Sequence, residues 1–219
     1  MIIDGNNNKD RVFNIVQNGI ICPFVLTTHP ESKVTDPFSK QHAGYHSIKA
    51  DLNQALELLS NYEIIDNDVI KEALWKQSVI LLGRIFNQGE GGKVTLDKGI
   101  LRKDEILSKT LDFFLILRNK YIAHQGLNEE ETNQSLIVLS PSETKEIINV
   151  GAFHIRTVKI SPEEINDLKN LLIKLSELIE MKITKVENKI VEYYRHNWDI
   201  DDLYKFSIKR VTIEKKGSS

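Results

Sequence analysis

The chain has 219 residues, 41% of them hydrophobic and 27% charged, with a formal net charge of −2. These proportions describe a folded globular chain, not a disordered or membrane-embedded one, and the length fits one domain, or one with an appendage, around a sizeable core. A pI near 6.3 excludes a protein that coats nucleic acid by bulk charge and leaves room only for a local basic patch.

Residues 1 to 46 are expected to be an irregular N-terminal segment, because Gly5, Gly19, Pro23, Pro30 and Pro37 interrupt any period. At most one short helix or strand is expected before residue 40. The apolar run from Ile20 to Leu26 is short and broken by Pro23, so no leader and no membrane span is expected, and the chain reads as cytoplasmic. Cys22 is the single cysteine and reads as a small buried hydrophobe. His42 and His46, four residues apart, suit a metal only on a helix; Gly44 weakens that helix and no third ligand stands out, so they read as surface histidines and no metal is expected.

Helical spacing begins at Ser47, with Ile48, Leu52, Ala55, Leu56, Leu59 and Tyr62 at steps of three and four. Asp68 then reads as the cap of a second helix running to about Asn87, whose row Trp75, Val79, Leu82 and Phe86 is widened by Ala73, Ile80 and Leu81. That width predicts burial on more than one side. Gly89, Gly91 and Gly92 end the helix. The loop they form follows no strand, lacks the Walker spacing and carries Glu90, so it reads as a connector and not a phosphate cradle.

Asp104 is placed to cap a third helix, predicted over Glu105 to His124. Ile106, Thr110, Phe113, Leu117, Tyr121 and His124 make one row along it; Phe114, Arg118 and Ile122 make another. Together they are wide enough to face both a core and a partner helix. Residues 135 to 160 alternate and predict a small antiparallel sheet of two or three strands. Ser161-Pro162-Glu163-Glu164 then has the form of a capping box. The long helix after it carries a seam from Ile165 through Leu168, Leu172, Leu175 and Ile179 to Tyr193, suited to a coiled coil or to packing within a bundle. Residues 196 to 219 form a C-terminal tail whose stretch from Lys205 to Lys216 is locally basic, suited to an RNA contact but expected to be a solvated terminus.

The third helix closes on Arg118-Asn119-Lys120-Tyr121-Ile122-Ala123-His124, just before Gln125-Gly126. A guanidinium holds phosphate oxygens and an imidazole near a helix C-terminus moves protons near neutral pH, a pair suited to RNA cleavage without a metal. The bland reading stands beside it, since arginine and histidine are ordinary residues of a last helical turn. On one straight helix Arg118 and His124 would stand about 9 Å apart along the axis and about 120° apart around it. One protomer alone then makes a loose site, whereas a two-fold axis beside the helix end gathers two such pairs into one cleft.

The segment Leu117 to His124 resembles the Arg-polar-x-x-x-Ala-His signature of HEPN domains, helical domains found in many prokaryotic RNase toxins and abortive-infection proteins. The stretch Ala73 to Asn87, the glycine connector and Thr95-Leu96 are similar to the preceding helix of abortive-infection-type members, although Asn87 stands where an aspartate is frequent. Similarity covers roughly Ile48 to Lys185. The resemblance implies a mainly α fold: a HEPN-like up-and-down helical bundle over 47–195 with a small antiparallel β insert before the long C-terminal helix. It also implies a metal-independent endoribonuclease of toxin–antitoxin or antiviral defence type, homodimeric, without a cofactor, and acting on single-stranded or loop RNA. Arg118 and His124 would be catalytic, with Asn119 and Lys120 binding substrate. An antitoxin or a nucleotidyltransferase is the partner that such proteins suggest, but Gln125-Gly126-Leu127 lacks the tyrosine that the latter modifies in some members. Because the family also holds members that only bind, a non-catalytic helical module taking a nucleotide, RNA or protein in the same cleft is the alternative.

Overall fold

A computed structural model describes residues 10–13, 15–17, 20–28, 32–87, 93–119, 131–140, 146–156, 160–208 and 211–214. The chain is mainly helical with short antiparallel strand pairs, and it divides into two compact units, one formed by 46–181 and one by 1–45 with 182–219. Among the described residues no helix is long and apolar enough to cross a membrane.

The 46–181 unit holds most of helix α1 (Ser39–Ile64), all of α2 (Asp68–Phe86) and α3 (Glu105–Leu117), and the first part of α4 (Pro162–Asn197). Leu52, Leu59, Leu82, Phe114, Leu168 and Leu172 are completely buried here, and each full burial of a side chain this size contributes about 1.5–3 kcal/mol. Ion pairs mark the relative direction of the helices. Lys169 meets Glu63 at 2.7 Å near one end and Lys49 meets Glu180 near the other, so α1 and α4 run antiparallel. Between α1 and α2, Arg84 reaches Asp51 at 3.6 Å, and the buried Ser78 hydroxyl donates to Leu74 O at 2.9 Å and to Ala55 O at 3.2 Å.

The helix starts follow side-chain chemistry. Asn67, not Asp68, caps α2, its Oδ1 accepting from the Ile70 N–H at 3.1 Å. Asp104 caps α3 as expected, accepting from the Leu107 N–H at 3.0 Å. The capping box at α4 is complete: Ser161 N–H donates to Glu164 Oε2 at 2.7 Å and Glu164 N–H donates to Ser161 Oγ at 3.2 Å. The α4 seam is buried within the chain at Ile165, Leu168, Leu172, Leu175 and Ile179. The expected β insert is a hairpin, β4 (Glu131–Leu139) with β5 (Ile147–Arg156), so it has two strands and begins before residue 135.

Three expectations are corrected. Helix α1 starts at Ser39, well before Ser47, because Asp36 Oδ1 accepts from both the Phe38 and Ser39 N–H groups at 2.7 Å and so caps it; Gly44 is carried inside. The N-terminal segment is not irregular throughout. It contributes β1 (Asp10–Phe13), β2 (Ile15–Gln17) and β3 (Ile20–Cys22), the last two paired with each other. The C-terminal tail folds as well, into α5 (Ile200–Lys205) and β6 (Val211–Glu214), and β6 pairs with β1. Phe24 and Ile208 exchange backbone hydrogen bonds at 2.8 Å beside that pair. The basic residues Lys209, Arg210, Lys215 and Lys216 lie outside the described residues, as does the glycine connector at 88–92.

Candidate functional site

The apolar row that faces the core of α3 is Leu111, Phe114 and Leu115, and Arg118 continues it. The other row is open: Ile106 is 78% exposed and Phe113 43%, with Ile116 beside them at 52%. Leu117, the next member of that row, is buried. The row that carries Phe114 and Arg118 therefore faces inward, with Arg118 against α2 at Gly83.

Regular α-helical bonding is described through Leu117, and the expected continuation to His124 lies outside the described residues from residue 120 onward. Arg118 keeps helical angles (φ −58°, ψ −48°), its N–H is shared between Phe114 O and Leu115 O, and it enters a wider, π-type turn with Asn119. Such turns recur at functional sites because they re-aim a side chain that a regular helix would hold elsewhere. The Arg118 side chain crosses α2 at Gly83. A Cβ on Gly83 would stand 2.9 Å from both Cδ and Nε of Arg118 and 3.2 Å from its Cγ. Any larger residue here would force the arginine off this path.

At the far end of the side chain, Arg118 Nη1 donates to Asn119 Oδ1 at 2.8 Å. Its Nε is buried without a hydrogen-bond partner among the described residues. An unmet buried donor costs about 1–3 kcal/mol, more when it belongs to a charged group, so it is uncommon where packing alone is served. The guanidinium is thus held at three points: by the helix end, by the Gly83 gap and by Asn119. Its geometry suits an oxyanion acceptor, since the planar fork matches phosphate.

Of the four residues singled out in the sequence, Arg118 and Asn119 are brought together, whereas Lys120 and His124 lie outside the described residues, as do Tyr121, Ile122 and Ala123. Around the pair, Asn87 N–H donates to Gly83 O at 3.1 Å and ends α2, and Leu96 N–H donates to Ile85 O at 2.9 Å. Arg84 is occupied by Asp51 and serves the fold. Gly83 carries a signal in the sequence: a glycine inside an apolar helix costs about 1 kcal/mol relative to alanine, and so points to a close approach.

Elsewhere, one expectation is corrected: α1 is helical through Gly44, and His42 and His46 do have a third possible ligand far away in sequence, Glu187, the three donor atoms lying within 4.8 Å of one another and His42 Nε2 3.4 Å from Glu187 Oε1. A second polar group surrounds Asp36. Burial pushes its carboxyl up, but hydrogen bonds from Ser39 Oγ, from Tyr194 Oη at 2.8 Å and from the Phe38 and Ser39 N–H groups outweigh it and hold the carboxyl below the usual carboxylate range. Tyr194 is raised well above the usual phenol range, by burial and by its bond to Asp36. No family model, no curated protein and no solved structure matches this chain.

Proposed function

We propose that this protein is a metal-independent endoribonuclease of the HEPN type, a HEPN-like helical bundle whose Arg118 and His124 form a composite site in a homodimer. The observation that carries the reading is the constrained Arg118: it crosses α2 over Gly83 and is held by Asn119. A side chain held this way is suited to bind charge that develops during a reaction, without reorganising when it does. His124 takes the proton from a ribose 2′-hydroxyl, or returns one to the departing 5′-oxygen, near neutral pH. The 2′-oxygen bonds to phosphorus as the P–O5′ bond breaks, leaving a 2′,3′-cyclic phosphate and a 5′-hydroxyl, while Arg118 steadies the phosphorane. Asn119 fixes the guanidinium and Lys120 adds positive charge. The open row on α3, which carries Phe113 and Ile116 on a different face from Arg118, supports a second copy as the neighbour.

The test uses purified wild type and the variants Arg118→Ala and His124→Ala, each with single-stranded RNA in EDTA. Wild type should produce cyclic-phosphate ends and both variants should lose cleavage by at least about a hundredfold, with circular dichroism unchanged. Equal cleavage by either variant would falsify the assignment. Uncut RNA with wild type, but His124-dependent binding of a ligand, would favour a non-catalytic module instead.

A further inference from the structure

A cavity of about 620 Å³ lies within the unit formed by 1–45 and 182–219, between the segment around Val25 and Val34 and the end of α4 with α5. Pockets of about 300–1,000 Å³ take ligands of drug size. Its walls are aliphatic at Val34, Ile190, Val191, Ile200 and Leu203, and Trp198 contributes an indole. The polar residues on it are few, and all but one are engaged with the protein. Thr27 Oγ1 donates to Ser39 Oγ at 2.8 Å, Tyr194 Oη donates to Asp36, and the Asp199 carboxylate accepts from the Asp201 N–H at 2.7 Å. Arg195 remains: it lines the cavity, is exposed, and makes no ion pair among the described residues.

We propose that this cavity binds a small amphipathic carboxylate, its alkyl chain against the aliphatic walls and its head group on Arg195. Charge complementarity decides the class of ligand. A guanidinium beside an apolar cavity offers two parallel N–H donors that match a carboxylate, while the one acidic residue of the lining, Asp199, has its Oδ1 engaged by the Asp201 N–H at the start of α5. The wall is also built in advance. Tyr194 is fixed by Asp36 on one side and meets Trp198 with ring centroids 6.4 Å apart, and Trp198 in turn meets Phe206 edge-on at 6.2 Å. A preformed wall loses little conformational freedom on binding.

The experiment is calorimetric titration of the full chain with dodecanoate, dodecanol and dodecylammonium, each below its micelle concentration. Trp198 fluorescence gives a second readout in a Trp75→Phe background. One saturable site that prefers dodecanoate over both analogues is expected. Arg195→Gln should weaken dodecanoate by about tenfold, the loss of one charge-assisted contact, and leave dodecanol unchanged. Val191→Phe, which fills the cavity, should weaken all three; Arg195→Gln, an exposed change, keeps the test open if that variant folds poorly. Absence of saturable binding, equal affinity for dodecanoate and dodecanol, or a preference for dodecylammonium would each overturn the proposal.

Discussion

Replacing Gly83 by alanine tests the physical basis of the Arg118 site without requiring any activity. The added methyl group would stand 2.9 Å from Arg118 Cδ and Nε, closer than real Cβ contacts come, so one of the two helices or the arginine must move. Two terms oppose each other. In a helix interior, alanine is better than glycine by about 1 kcal/mol, and overpacking costs about 1–3 kcal/mol. In the wild-type background Gly83→Ala should therefore be neutral to destabilising by about 2 kcal/mol. In an Arg118→Ala background the obstruction is gone, and the same change should stabilise by about 1 kcal/mol. Urea unfolding of the four proteins gives the coupling energy directly, expected at about 1–3 kcal/mol. An identical effect of Gly83→Ala in both backgrounds would refute the claim that Gly83 is the passage for Arg118. Cleavage should fall with Gly83→Ala as well, because the guanidinium is displaced from Asn119.

The Asp36 group makes a pH-dependent prediction. Its folded carboxyl titrates below the ordinary value of about 4, so its stabilisation is complete above that value and is lost as pH falls through the depressed one. Tyr194→Phe removes one donor and should cost about 1–2 kcal/mol at pH 7, a deficit that shrinks below about pH 4 in thermal melts; a constant deficit down to pH 2 would count against the charge-assisted bond. Ile116→Glu, on the exposed row of α3, should convert a dimer to a monomer in sedimentation while shifting the melting temperature by only about 4 °C or less. A wild type that sediments as a monomer, or a variant that remains dimeric, would remove that face from the interface.

What the sequence revealed was largely local. The capping box at Ser161, the cap at Asp104 and the period of α4 are short-range signals, and the structure has all three. The start of α1 was missed because its cap, Asp36, stands three residues ahead of Ser39 and Gly44 obscured the period. The pairing of β1 with β6 joins opposite ends of the chain, and no local pattern encodes so distant a partner. On α3, hydrophobicity alone did not separate the two rows, since Phe113 and Phe114 are equally apolar; tertiary packing buries Phe114 completely and leaves Phe113 partly open. For the site itself, the motif identified Arg118 and Asn119, but the glycine that lets the arginine pass belongs to a different helix and emerges only from tertiary contact.

The claim that Arg118 and His124 act across two protomers is tested most directly by mixing the inactive Arg118→Ala and His124→Ala chains after partial unfolding, refolding them together, and measuring RNA cleavage. A composite site predicts that the mixture recovers cleavage that neither variant shows alone, greatest at equal proportions, because mixed dimers bring an intact arginine from one protomer to an intact histidine from the other. A mixture as inactive as its components, alongside active wild type treated in the same way, would contradict it.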